Sequence, residues 1–460
     1  MASTERKFSP SRLFQAALKV EPNELKATLL SFLFVFSIMT AWFVLKPVRD
    51  ALSSDWTDAQ LSWLWTSTFV FSAIAVSIYG VVISRIRFRT IVPGVYGFFA
   101  LSFIGFFVAN VTLQDEGLVL RLNYGLTTVF GPTADANDLL NRVFYVWASV
   151  FSLFHLSVFW TFMSGLYNKE QAKRLFAVIA VGATAGGIVG PLFVSLFADD
   201  IGSMNMVFIS SGLLLVPIPI YGWLDHLRSS ELGNPDSQAD LLRGHHLGSN
   251  PFSGFTHFVS SPYLLWIGAF IVLYVTMNTF LYFEIGNATE NLEREQRAQV
   301  WARIDLAVNV LAAITALFAT SRLTTKVGMP KTLALVPIIM ALGWVAVAIS
   351  PIAITVYAVQ VIRRAGNYAI TRPGREILFT LVDNETRFKS KPVIDTVVYR
   401  GGDVATAWFY TMLGTVFKLS LVGIAVVGAG VAVIWALVGA YLGGLFEKKS
   451  KTESIEHGTE

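Results

Sequence analysis

Leu45-Lys46-Pro47-Val48-Arg49-Asp50 closes a run of 19 residues, Ala27 to Leu45, that carries no charge. A run of that length crosses a bilayer core, which takes roughly 20 apolar residues at about 1.5 Å each. Its charged end decides what kind of membrane protein this is. Charges at a helix end can be anchors that snorkel to the headgroups. Charges inside a bundle are costly and line a substrate or ion path. Arg49 and Asp50 follow Pro47, which lacks a backbone donor and so frees a carbonyl. At this point both readings stand, and the rest of the chain has to separate them.

The composition agrees with a membrane protein. Of 460 residues, 54% are hydrophobic and 14% charged, where a soluble domain carries about 25% charged; mean hydropathy is +0.58. The expected class is an all-α integral membrane protein. The absence of cysteine excludes disulfides, thiolate catalysis and Cys-ligated metals. Met1–Glu24 is polar and mixed in charge, without a short apolar core before a small-residue cleavage site, so no signal peptide is expected. Arg12–Val20 reads either as a short amphipathic surface helix or as a simple polar tail. There is no P-loop spacing, no Ser-His-Asp order and no HExxH motif, so neither an enzyme nor a bound cofactor is expected.

Apolar segments fall near 26–50, 61–83, 91–110, 142–166, 174–197, 204–224, 262–284, 298–320, 331–350, 352–371, 400–418 and 420–446. Twelve transmembrane helices are therefore expected, although arginines interrupt the tenth segment and the eleventh is short and glycine-rich. Basic residues set the orientation. One side collects 27 of the 35 lysines and arginines, while the other holds acids such as Asp55, Asp58, Asp115, Glu116, Asp199 and Asp200. Both termini are expected in the cytoplasm, with the chain multi-pass in a bacterial inner membrane.

The stretch Asp225–Ser261 is rich in Ser, Gly, Asn and His and divides the segments six and six. The expected organisation is a cytoplasmic tail over 1–25, a six-helix half over 26–224, a linker over 225–261, a second half over 262–446 and a tail over 447–460. Two six-helix halves joined by a polar linker is a major-facilitator-like layout, with the substrate site near the midplane between the halves. His245-His246 in the linker lack an apparent third ligand, and no metal site is expected.

Several constellations carry chemistry. Gly182, Gly186 and Gly190 recur every four residues and make a smooth helix face, read as a close helix contact. The tenth segment is apolar from Pro351 to Ile362 and then carries Arg363, Arg364 and Asn367. Eleven residues in, Arg363 lies about 16 Å deep, near the centre of a core roughly 30 Å thick. One or both arginines pair structurally with Glu284, Asp305 or Asp403, or at least one holds an anion through its planar fork. Lys46, Arg49, Arg363, Arg364, Asn367 and Asn278 are the candidate substrate-binding residues. Asp50, Glu284, Asp305, Arg400 and Asp403 are the candidate gate or coupling residues. Asp305 is either a counter-ion to an arginine or a proton site. His155, midway along the fourth segment, reads as a packing residue or a proton carrier. The dense loop from Arg372 to Asp403 is either a set of positive-inside residues with mutual salt bridges or a cytoplasmic gate.

Four stretches give the chain a family likeness. They are Leu30-Ser31-Phe32-Leu33 through Asp50; Asn141-Arg142-Val143-Phe144-Tyr145 through Phe151; Phe159-Trp160 through Glu170-Gln171-Ala172-Lys173-Arg174-Leu175-Phe176 to Gly190-Pro191; and Arg372-Pro373 through Glu376, Phe379-Thr380, Ile394-Asp395 and Arg400-Gly401-Gly402-Asp403. In these the chain resembles bacterial members of the ATP:ADP antiporter family, nucleotide exchange transporters related to plastid and intracellular-parasite ADP/ATP carriers. The resemblance implies a major-facilitator-like fold and nucleotide exchange, with the family's basic residue of the first helix at Lys46. The Lys-Pro-Val-Arg-Asp form is that of the bacterial branch and departs from the Lys-x-Thr-Lys-Asp form of the established carriers. The carriers' acidic residue in the fourth or fifth helix has no clear match, and His155 stands at that depth.

The expected function is secondary transport, exchanging or importing an organic anion by alternating access, with nucleotides of the ATP/ADP type leading. The alternative is a proton-coupled major-facilitator exporter of drugs or metabolites, with Asp305 or Glu284 as the proton site. A membrane scaffold or sensor would need a soluble module, and none is recognisable. The expected partners are a small anionic substrate and the lipid bilayer, with no nucleic acid, and the expected state is a monomer.

Overall fold

The computed structural model describes residues 20–85, 88–130, 135–233, 253–318, 328–383, 386, 390–391 and 393–457. The alternatives for Arg12–Val20, apart from Val20 itself, and the His245-His246 pair lie outside the described residues. No strand occurs among the described residues. The helices are α1 (Leu25–Ala51), α2 (Asp58–Arg85), α3 (Phe88–Thr112), α4 (Glu116–Phe130), α5 (Ala136–Leu166), α6 (Lys169–Ile201), α7 (Ser203–Leu215), α8 (Pro217–Ser230), α9 (Ser253–Ser260), α10 (Pro262–Ala288), α11 (Arg294–Phe318), α12 (Met329–Ile349), α13 (Ala353–Gly366), α14 (Arg372–Leu378), α15 (Tyr399–Thr415) and α16 (Leu421–His457).

Ten helices among the described residues are long and apolar enough to cross a membrane, with α7 and α8 counting as one run, Ser203–Ser230. The two expected segments that fall short are α13 and α15. In α13 the cause is length, 14 residues, together with Arg363-Arg364 near its end; the helix then continues through a π-helical turn, Asn367–Thr371, into α14. In α15 the cause is length, 17 residues. Large apolar side chains such as Phe98, Leu101, Leu342, Ile349 and Leu437 are exposed, as suits helix faces whose solvent is lipid.

The chain divides into two compact units: residues 1–49 with 72–247, and residues 50–71 with 248–460. The first unit carries α1 up to Arg49 and α3 to α8. In it α3 packs on α5, α7 and α8. The glycine face of α6 lies on α1: a Cβ at Gly186 would stand 2.5 Å from the Phe36 carbonyl oxygen, and one at Gly182 2.6 Å from that of Phe32. Helix ends are chemically marked. Asn168 and Gln171 form a reciprocal capping box at the start of α6. Gly202, at φ 85°, turns the chain between α6 and α7, a conformation open to glycine at little cost. Glu24, fully buried just before α1, accepts two hydrogen bonds from Arg174, at 3.1 and 2.8 Å, and so fixes the start of α1 to α6.

In the second unit α10 packs against α13, α15 and α16, and α12 against α13 and α16. Glu447 of α16 accepts from the backbone N–H of Met329, satisfying a donor that the first turn of α12 leaves free. The stretch 50–71 joins this unit through specific polar contacts. Asp55 pairs with Arg294 at 2.9 Å and Arg297 at 2.5 Å, Ser54 meets Thr289 at 2.9 Å, and Ser62 meets Thr411 at 2.8 Å.

Candidate functional site

α1 runs unbroken through Pro47 to Ala51, so Lys46 and Arg49 are residues of its last two turns. Trp42, Lys46 and Arg49 follow the i, i+4, i+7 spacing of one helix face. The Arg49 guanidinium lies 5.6 Å from the Trp42 ring centroid and 5.5 Å from that of Tyr145, and donates to Ser149 Oγ at 3.3 Å. Cation–π contacts of this kind contribute about 0.5–2 kcal/mol each, more where water is excluded. Tyr145 and Ser149 belong to α5, as does His155, whose ring stacks on Trp42 at 5.2 Å and whose Nδ1 lies 2.9 Å from the Ser152 carbonyl. With Nδ1–H donating to that carbonyl, His155 is a packed aromatic that backs Trp42. Lys46 and Arg49 are both partly exposed. Asp50, next in sequence, is fully buried, belongs to the second unit and accepts from Tyr282 Oη at 3.1 Å.

In the second unit the two neighbouring arginines of α13 part company. Arg364 is closed on Asp305 of α11 in a buried ion pair. Arg363 is 1% exposed, yet no carboxylate among the described residues lies within ion-pair distance of it. Its Nε donates to Gln360 Oε1 at 2.9 Å and one terminal nitrogen to Asn278 Oδ1 at 2.6 Å. Its charge lies 5.4 Å from the Tyr274 ring centroid. The other terminal nitrogen, Nη1, is buried with no hydrogen-bond partner. Tyr274 and Asn278 are one turn apart on α10, and Gln360 and Arg363 one turn apart on α13. The cradle is thus built where these two helices pack.

The remaining candidates are dispersed. Glu284, buried in α10, accepts from Tyr410 Oη at 2.7 Å, and Asn287 links Tyr410 to Asp58. Arg400 and Asp403 face each other along one turn of α15 at 3.8 Å, and Asp403 Oδ1 is buried without a partner. Asn367 opens the π-helical turn, half-buried.

Across α14 and the stretch that follows it, Glu376 pairs with Lys391 and lies 3.3 Å from Arg375, which in turn lies 3.3 Å from Asp395. At Asp395 burial wins against Arg375 and Lys391, and the carboxyl is pushed up. These acids and bases form an ion-pair network on one stretch of chain.

Within each unit, therefore, one arginine rests on an aromatic ring: Arg49 on Trp42 and Tyr145, Arg363 on Tyr274. The aromatic supports and Gln360 escape a reading of charges alone. Their signal is helical spacing, since Trp42 stands seven residues before Arg49, Gln360 three before Arg363, and Tyr274 four before Asn278. Among the described residues no group of three or more His, Cys, Asp or Glu is arranged to hold a metal.

Comparison with known proteins adds the following. A family model described as Major Facilitator Superfamily matches residues 27–374. An "ADP,ATP carrier protein 1" of Chlamydia pneumoniae is 23% identical over 515 residues, covering 99% of this chain and 98% of the relative. A protein of the same name from Chlamydia trachomatis serovar D is 21% identical, covering 99% of this chain and 94% of the relative. Among solved structures, a bacterial homologue of the iron transporter ferroportin, in an inward-facing state, aligns with a TM-score of 0.63 at 11% identity, covering 92% of this chain and 99% of that one. At that identity the likeness is one of fold.

Proposed function

We propose that this chain, which belongs to the Major Facilitator Superfamily, is a secondary transporter that exchanges or imports an organic anion, with adenine nucleotides the leading candidates. That it is a multi-pass membrane transporter follows from the family and from its apolar helices. The proposal adds twelve spans, counting α13–α14 and α15 with the ten that qualify alone. It also adds two six-helix halves joined by the 225–261 linker, both termini in the cytoplasm, and a monomer in a bacterial inner membrane.

The single observation that carries the anion reading is Arg363. A buried guanidinium without a carboxylate is tolerated only where water or an anionic ligand meets it. Here its other contacts are neutral oxygens and an aromatic face, and one donor nitrogen is unused. A planar fork with a free donor suits phosphate or carboxylate oxygens. Arg49, on its two rings, and Lys46 supply further positive charge in the first unit. Arg364 is the less suited of the α13 pair, because Asp305 already neutralises it. The names of the Chlamydia relatives point from "organic anion" to nucleotides.

The test is thermal unfolding of the purified protein in detergent against a panel of ADP, ATP, inorganic phosphate, dicarboxylates and organic cations. A ligand at about 100 times its Kd stabilises by about 2.7 kcal/mol. ADP or ATP should raise Tm and cations should not. A rise with cations, and none with any anion, overturns the reading.

A further inference from the structure

We propose that the basic end of α16 binds an anionic phospholipid, its headgroup on Lys448 and Lys449 and a hydrocarbon chain along the helix face below them. The site is independent of what the protein carries. α16 runs uncharged from Leu421 to Phe446, and Glu447, Lys448 and Lys449 are its first charges. At about 1.5 Å per residue that run covers a hydrocarbon core roughly 30 Å thick, and the lysines stand where hydrocarbon gives way to headgroups. Leu437, Tyr441, Gly444 and Lys448 recur every three or four residues, so they share one face of the helix, and all four are exposed. Gly444 makes a notch in that face, since a Cβ there would meet nothing within 4 Å. Gly443 points the other way, where a Cβ would stand 2.4 Å from Pro330 N of α12.

α10 supplies two aromatic rings beside the notch. Trp266 meets Tyr441 edge-on, ring centroids 4.9 Å apart, and both are exposed. Tyr263 is buried, its hydroxyl donates to the Leu378 carbonyl at 3.0 Å, and the Lys449 ammonium lies 4.8 Å from its ring centroid. An aromatic face thus places Lys449, and neither lysine has a carboxylate partner among the described residues. Glu447, next to them in sequence, is taken up by the Met329 N–H at 3.1 Å.

Charge complementarity names the occupant. Two ammonium groups at headgroup level attract a phosphate, and Trp and Tyr favour the same level. A free phosphate ion would use the lysines but leave the aromatic pair and the apolar face from Gly444 to Leu437 without a role. A lipid uses all of them. A zwitterionic lipid brings its own cation close to the lysines, whereas an anionic one does not. Each lysine near a membrane surface is worth about a fivefold change in affinity for anionic lipid.

The experiment is native mass spectrometry of the full chain in detergent, titrated with phosphatidylglycerol or phosphatidylcholine, reading the Kd of the first lipid bound, with Tm recorded for every variant. Wild type should bind phosphatidylglycerol at least about fivefold more tightly than phosphatidylcholine. Lys449→Gln should lose about fivefold in phosphatidylglycerol affinity, and Lys448→Gln combined with Lys449→Gln should bring the two lipids to parity. Gly444→Leu, whose Cβ meets no neighbour, should fill the notch and weaken both lipids at unchanged Tm. Lys173→Gln, in the first unit and paired with Glu170, should leave lipid binding as it is. Equal affinity of wild type for the two lipids overturns the proposal. So does a preference that survives loss of both lysines, or phosphatidylglycerol affinity untouched by Gly444→Leu. Displacement of phosphatidylglycerol by millimolar inorganic phosphate, beyond that by chloride at equal ionic strength, would assign the lysines to a free anion and overturn it as well.

Discussion

Arg364 of α13 and Asp305 of α11 form a closed, buried ion pair, Asp305 being 0% exposed. The pair ties together two helices that pack along their length and removes both charges from the ligand chemistry. Breaking such a pair leaves one buried charge uncompensated, at a cost of about 3–5 kcal/mol. Asp305→Ala should therefore lower Tm sharply and reduce the folded fraction. Replacing both partners together, by Met at 364 and Leu at 305, should recover most of the loss. Thermal unfolding of the two variants checks this. A single variant as stable as wild type would show that the pair contributes nothing.

The α1–α6 contact depends on the absence of side chains. At Gly186 a Cβ would collide with the Phe36 carbonyl and with Thr40 N, at 2.5 and 2.9 Å, whereas at Gly105 in α3 it would meet nothing within 4 Å. Gly186→Ala should cost about 1–3 kcal/mol through overpacking. Gly105→Ala should be neutral or slightly stabilising, since alanine is favoured over glycine in helices by up to about 1 kcal/mol. Equal effects of the two substitutions on Tm would contradict the close contact.

A pH-dependent prediction concerns Asp135, the N-cap of α5. Its side chain accepts from the Asp138 backbone N–H, which holds the carboxyl below its ordinary value despite partial burial. A carboxyl depressed in the folded state stabilises above its unfolded value, near pH 4, and that contribution is lost as pH falls through the folded value. Asp135→Ala should cost about 0.5–2 kcal/mol at neutral pH. The Tm gap between wild type and variant should narrow as pH falls below about 4. A gap that stays constant from pH 8 to pH 3 would remove the charge from the explanation.

How far the sequence could be read depends on what each residue announces. The uncharged run Ala27–Leu45 and the glycine spacing in α6 announce themselves, because length and period translate directly into helix span and helix face. The arginines of α13 announce a buried cation but not which one is neutralised. Residues 363 and 364 point to different sides of one helix, and only the packing of α11 decides that Asp305 meets Arg364. The aromatic support of Arg49 by Tyr145 and the Asn278–Arg363 bond join residues about 85 to 100 positions apart; no local pattern encodes them. The same holds for residues 50–71, which follow α1 in sequence but cluster with the second unit through Asp55 and its two arginines.

The central claim is that Arg363 is held buried and unpaired to receive an anion. The most direct measurement is uptake of radiolabelled ADP into proteoliposomes preloaded with ATP, for wild type beside Arg363→Gln, with Tm recorded for both. A hydrogen bond to a charged group contributes about 1.5–3 kcal/mol, so the variant should lose about 10- to 100-fold in ADP uptake. Its Tm without ligand should stay near that of wild type, because Asn278 and Gln360 are amides that can hydrogen-bond with glutamine. Undiminished ADP uptake by Arg363→Gln would contradict the claim, as would a wild type that carries organic cations in preference to ADP.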